Sequence, residues 1–114
     1  MLGRASVEKL LAGRRRGRKR AVKVQVEARV DFDDKASSHS TLLQVVAQDT
    51  PGLLHALSRT MGARGCNIEV ALVDTEGEMA IDVFYVTNNG AKLDAVEQAV
   101  LGRELLEAME QNAR

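Results

Sequence analysis

The chain carries one proline, Pro51, inside the run Asp49-Thr50-Pro51-Gly52-Leu53-Leu54. Before it, from Thr41 to Gln48, apolar residues alternate; after it, from Leu53 to Arg64, they recur at helical spacing. A strand is therefore expected to turn into a helix here, since proline cannot donate to a ladder and presets the φ of a first helical turn. Thr50 is the natural N-cap, Pro51 takes the first-turn position, and Gly52 lets backbone approach without a Cβ in the way. The first N–H groups of such a helix lack intrahelical acceptors, and the helix dipole adds partial positive charge beside them. A small-molecule carboxylate suits that place. The alternative is a capped turn that binds nothing.

The rest of the chain bounds what this turn can serve. At 114 residues one domain is expected. Lys plus Arg and Asp plus Glu number 16 each, so no net field points to nucleic acid or a membrane. The charge is uneven, however. Arg14-Arg15-Arg16-Gly17-Arg18-Lys19-Arg20 is strongly basic and holds no aromatic residue for base stacking. Residues 1–21 read as a solvated arm or linker. Cys66 is the lone cysteine, and His39 and His55 are the two histidines, so no disulfide, metal site or cofactor is expected. No apolar stretch approaches the roughly 20 residues that span a bilayer, and the expectation is a soluble cytoplasmic protein. No Ser/His/Asp order, Cys–His pair, phosphate loop or carboxylate cluster appears with supporting context, so the chain is not expected to be an enzyme.

Period two is strongest from Val22 to Phe32, where Val22, Val24, Val26, Ala28, Val30 and Phe32 alternate with polar residues. Residues 33–40 are polar and loop-like, and Thr41 to Gln48 forms a second strand. The helix that follows carries Leu54, Leu57 and Met61 on one stripe, with Leu53 and Ala56 beside it, and Gly65 is placed to close it. Asn67 to Thr75 and Met79 to Thr87 are rich in β-branched residues and flank Glu76-Gly77-Glu78, which reads as a hairpin. After Asn88-Asn89-Gly90 comes a final helix, with Leu93, Val96 and Val100 on one stripe and Leu101, Leu105 and Ala108 on an offset one. Gly102 between them is expected to bend or weaken it.

The order β-β-α-β-β-α is a ferredoxin-like unit lacking its last strand, with one strand to spare at the front. The strand 22–32 is predicted to fill the empty place beside Thr41 to Gln48. The result is an α+β, ferredoxin-like two-layer sandwich: a four-stranded antiparallel sheet with two helices on one face. In that sheet Asn67 to Thr75 is an edge. Ile68, Val70 and Leu72 carry no charge to discourage pairing with another chain, so a homodimer through this strand is expected.

Asp49-x-Pro51-Gly52-Leu53-Leu54 followed by Gly65-x-Asn67-Ile68 resembles the ACT domain, a small regulatory module of amino-acid-sensing enzymes. Phe32-Asp33-Asp34-Lys35-Ala36-Ser37-Ser38 and Ile81-Asp82-Val83-Phe84-Tyr85-Val86-Thr87 narrow the likeness to the C-terminal ACT domain of bacterial bifunctional uridylyltransferase/uridylyl-removing enzymes. Those enzymes modify the PII nitrogen-signalling protein and sense glutamine. The resemblance covers roughly residues 22–109, within an expected domain of 22–110, and nothing here is similar to the catalytic parts of such enzymes. Thr50 stands where that family more often has arginine, which removes a positive charge beside the turn.

The resemblance implies that Asp49, Thr50, Pro51, Gly52, Leu53, Leu54, Asn67 and Ile68 bind a free amino acid, glutamine being the first candidate. N–H groups near Gly52, Leu53 and Leu54 would hold its carboxylate, Asp49 would meet its ammonium group, and Asn67 and Ile68 would lie near the same cleft, often between subunits. A catalytic domain or enzyme partner would receive the signal. The alternatives are a structural dimerisation module without a ligand, and a nucleic-acid-associated protein acting through Arg14 to Arg20. Of the remaining residues, Cys66 reads as a packing residue and His55 as a surface histidine, while Asp82, inside an apolar strand, is either solvated or paired.

Overall fold

Two central strands show how the sheet is built. In Thr41–Gln48 the side chains of Thr41, Leu43, Val45 and Ala47 are buried, and in Met79–Asn88 those of Ala80, Asp82, Phe84 and Val86 are buried. The two strands pair antiparallel from Thr41 opposite Val86 to Gln48 opposite Met79, so both buried sets point to one face. The computed structural model describes residues 26–113; the predicted basic arm 1–21 and the first part of the alternation from Val22 lie outside the described residues.

The elements in chain order are β1 (Arg29–Asp33), β2 (Thr41–Gln48), α1 (Leu53–Ala63), β3 (Cys66–Glu76), β4 (Met79–Asn88) and α2 (Ala95–Asn112). They form one antiparallel sheet of order β1-β2-β4-β3, with β1 in the predicted place beside β2. β1 is shorter than its sequence pattern. Arg29 lies opposite Val46, and only Ala47 and Gln48 remain in β2 before the Pro51 turn. The ladder stops at this pair, although Ala28, Val30 and Phe32 still pack on the core. Val26 is held instead by its N–H donating to Gln48 Oε1 at 3.2 Å.

Both helices bury against the same sheet face, and their leucines and methionines join one core with Leu43, Val45, Phe84 and Val86. The buried row of α1 is Leu53, Leu57 and Met61, not the predicted row starting at Leu54, which is 43% exposed. The buried row of α2 is Leu101, Leu105 and Met109. Val96, expected on a buried stripe, is 71% exposed, and Leu93 is buried but precedes the helix. Asp94 caps α2 in a capping box: its Oδ1 accepts from Glu97 N–H at 2.8 Å, and Glu97 Oε1 accepts from Asp94 N–H at 2.9 Å. Leu93 N–H in turn donates to the buried Thr41 Oγ1 at 3.0 Å, locking the helix start onto β2.

α2 runs without interruption through Gly102. The glycine serves packing: a Cβ there would lie 3.3 Å from Phe32 Cε1, so its absence lets the β1 ring approach the helix. At the other hairpin, Gly77 (φ +64) makes the two-residue connection between β3 and β4. β3 is the second edge and bulges between Ile68 and Val70. Among the described residues no helix is long and apolar enough to cross a membrane.

Candidate functional site

The turn after β2 is pinned at its start by Asp49 N–H, which donates to Glu78 O at 2.8 Å. Gly52 then takes a left-handed backbone, φ +80, which is why a glycine stands there. It is the N-cap of α1, in place of the predicted Thr50, and it offers no side-chain cap. Thr50 is occupied elsewhere: its Oγ1 accepts from Asn112 Nδ2 at 2.9 Å, at the far end of α2. Leu53 N–H closes the turn on Thr50 O (3.2 Å), and the first helical bond runs from Ala56 N–H to Gly52 O (2.9 Å).

Between these two bonds lie the N–H groups of Leu54 and His55, and neither has an acceptor among the described residues. The first turn of α1 also contains no acidic side chain to offset the dipole. Uncapped N–H groups and an unopposed positive helix end together form an anion-receiving surface.

These groups border a cavity of about 210 Å³. One wall is Asp49, Thr50, Gly52, Leu53, Leu54 and His55. The other consists of Val73 and Thr75 from β3 with Ala80 and Asp82 from β4. Asp82 is 2% exposed, and its Oδ1 has no hydrogen-bond partner among the described residues. Burial pushes its carboxyl up to about 6, a backbone hydrogen bond at Asp74 holds it down in part, and the Asp49 and Asp74 carboxylates raise it further. A larger groove of about 530 Å³ lies between the helices, where Arg59, Glu104 and Glu107 line a charged surface.

Of the residues predicted around the ligand, Asp49, Thr50, Gly52, Leu53 and Leu54 share the small cavity, and Pro51 shapes the turn without lining it. Asn67 and Ile68 sit at the opposite end of β3, across from Thr87 and Val86. Eight residue steps of strand lead from Asn67 to Thr75 on the cavity wall, roughly 26 Å of extended chain. Within a single chain they do not meet the turn. Sequence reasoning left His55 and Asp82 out of the site. The signal for Asp82 was its parity with Ala80, Phe84 and Val86, which aims it at the helix layer. Cys66 is half-buried against the core, and burial, with a smaller push from Glu97, raises its thiol. Among the described residues no cluster of His, Cys, Asp and Glu could hold a metal ion.

Residues 41–100, more than half of the chain, match the ACT domain family. The chain belongs to the ACT domain family. Its curated relatives are bifunctional uridylyltransferase/uridylyl-removing enzymes. The one from Caulobacter vibrioides is 38% identical over 95 residues, 82% of this chain and 10% of the relative. That from Novosphingobium aromaticivorans is 39% identical over 102 residues, 88% of this chain and 11% of the relative. That from Streptomyces coelicolor is 42% identical over 82 residues, 71% of this chain and 10% of the relative. This ACT domain thus spans about a tenth of the length of those relatives. The match is to a short regulatory domain and not to a catalytic nucleotidyltransferase region.

Proposed function

We propose that this ACT domain binds a free amino acid, glutamine first, in the cavity beneath the α1 N-terminus, and that it does so as a homodimer regulating an attached or associated enzyme. The observation that carries the reading is the pair of N–H groups at Leu54 and His55, without acceptors among the described residues, beside a small cavity that Asp49 also lines. The helix end suits the ligand's carboxylate and Asp49 its ammonium group. The relatives' names supply the enzyme class, a uridylyltransferase, as the candidate recipient of the signal.

The separation of Asn67 from the turn supports the dimer. β3 is an edge strand with Val70, Leu72 and Val73 exposed. Antiparallel pairing of two β3 edges about Ala71 would set Asn67 of one copy opposite Thr75 of the other, beside its cavity. The residues that one chain keeps apart would then share one site. Ligand affinity for that paired state would bias the packing of whatever is attached to it.

Calorimetric titration of the chain with single amino acids tests the reading, together with sedimentation analysis and the variant Gly52→Val. Saturable binding of an amino acid by a dimer, lost in Gly52→Val with circular dichroism unchanged, is the expected result. A folded dimer that gives no heat with any amino acid would instead leave a structural dimerisation module.

A further inference from the structure

Among the described residues both helices pack on one face of the sheet, and no element covers the other. On β4 this open face carries Ile81, Val83 and Tyr85, which alternate with the buried Ala80, Asp82 and Phe84. Leu42 of β2 and Val70 of β3 stand opposite Tyr85, and Leu72 of β3 stands opposite Val83. Val70 and Leu72 are 45% and 57% exposed. A contiguous apolar patch of this kind marks an interaction surface. Pairing of β3 edges would lengthen the sheet and leave this face open.

The charge around the patch is one-sided. At the hairpin end Asp74 lies opposite Ile81 and Glu76 opposite Met79, on the same face, and Glu78 follows across Gly77. Among the described residues none of these three carboxylates is in an ion pair. No lysine or arginine occurs from Gly65 to Ala91, so neither β3 nor β4 supplies a cation. The chain enters the described domain at this same end. Val26 N–H donates to Gln48 Oε1 at 3.2 Å, and Gln48 Nε2 donates to Glu78 Oε1 at 3.0 Å.

The residues ahead of Val26 have the complementary chemistry, in the matching order. The basic run Arg14 to Arg20 comes first, going backward, and Val7, Leu10 and Leu11 lie beyond it. Arg20 is six steps from Val26, about 20 Å of extended chain, and Leu11 is fifteen steps away, about 50 Å. The open face from Met79 to Tyr85 is about 20 Å long. Both halves of the segment can therefore reach their counterparts.

We propose that residues 7–20 dock on the open face of their own sheet, with Arg14 to Arg20 against Asp74, Glu76 and Glu78, and with Val7, Leu10 and Leu11 against Leu72, Val83 and Tyr85. The inference goes beyond amino-acid binding and does not rest on it. Removal of apolar area from water supplies the attraction, and the charges fix which end lies where. The short tether raises the local concentration of the segment, so it outcompetes a free partner of equal affinity. The basic run is then neutralised within the chain, and a nucleic acid must first displace it.

Tyr85 is the single tyrosine and the chain has no tryptophan, so its fluorescence reports on the centre of the open face. The test is acrylamide quenching of the full chain, of Leu10→Gln/Leu11→Gln, and of Asp74→Asn/Glu76→Gln/Glu78→Gln, where the new amide at position 78 can still accept from Gln48. Each variant should be quenched about twice as readily as the unaltered chain, because the cover over Tyr85 is lost. A labelled single-stranded oligonucleotide, followed by anisotropy, should bind Leu10→Gln/Leu11→Gln about threefold more tightly than the unaltered chain, since these substitutions change no charge and release the basic run. Equal quenching of the unaltered chain and Leu10→Gln/Leu11→Gln overturns the proposal. So does equal oligonucleotide affinity, which would show the run already free for a polyanion. Protection of Tyr85 that disappears on dilution assigns the cover to a second copy and overturns it as well. Should the carboxylate variant not fold, the leucine variant, altered only outside the residues matched to the family, decides the matter.

Discussion

Asn112, in the last turn of α2, donates through Nδ2 to Thr50 Oγ1 at 2.9 Å and to Pro51 O at 3.1 Å. One amide thus ties the C-terminal end of one helix to the turn that starts the other, across 62 positions of the chain.

Asn112→Ala should cost about 1 kcal/mol, the worth of its side-chain hydrogen bonds. Chemical denaturation would register the loss as a lower midpoint with an unchanged slope. An unchanged midpoint would show that the Asn112 amide does not hold the turn.

Gly52 has φ +80, and a Cβ added there would lie 3.2 Å from Asn112 Oδ1. Strain in the left-handed region costs on the order of 1–2 kcal/mol for a residue with a side chain, and the Asn112 tether must yield as well. Gly52→Ala is therefore expected to lose about 2 kcal/mol. Gly62→Ala is the control, since its Cβ would meet nothing. It sits inside α1 and should stabilise by about 0.5–1 kcal/mol. Thermal melts showing equal effects for the two glycines would rule out this contrast.

Asp82→Asn should stabilise the fold at neutral pH. The carboxyl rises from 3.8 to about 6 on folding, so the folded state binds its proton more tightly than the unfolded chain. Stability from this group is present below about pH 4 and is lost as pH rises through about 6. At pH 7 the loss is on the order of 3 kcal/mol, which the neutral amide avoids in part. Urea midpoints of the unaltered protein should fall between pH 4 and pH 6 relative to Asp82→Asn; parallel pH profiles would show that Asp82 does not titrate in this way.

Gly102→Leu should loosen β1. A Cβ at this position already presses on Phe32 Cε1 at 3.3 Å, and a larger side chain must push the ring off α2. Overpacking of this kind costs about 1–3 kcal/mol. Hydrogen exchange should accelerate at Val30 and Phe32 while β4 stays protected; uniform exchange across the sheet would argue against a local effect.

Leu72→Lys should produce a folded monomer. Leu72 is 57% exposed on the β3 edge, so the charge costs the single chain little and would oppose edge pairing between copies. Sedimentation equilibrium reads the result directly. A dimer unaffected by Leu72→Lys would move the interface to another surface.

How much of this was legible beforehand differs from element to element. The switch from period two to helical spacing at Pro51 located β2 and α1, and the surplus strand at the front implied the sheet order that β1 completes. Periodicity reports burial on one face, and that signal is local. The extent of β1 was not, because its pairing ends at Arg29 opposite Val46, two residues before β2 itself ends. The buried row of α1 was displaced from Leu54 to Leu53 because adjacent rows of a helix score almost alike until the sheet and α2 select between them. The Asp94-x-x-Glu97 capping signal at the head of α2 was readable and would have placed Leu93 outside the helix.

The chain's own pattern thus determined which segments become strands and helices, where the turn falls and which family the domain joins. Tertiary structure decided the rest of the site: that Thr50 is held by Asn112, that Asp82 faces the cavity, and that Asn67 lies a strand's length from Asp49. The physical reason is range. Propensity and periodicity act over a few residues, whereas burial and hydrogen-bond partnership are set by groups brought together from distant parts of the chain only once the sheet and both helices have packed.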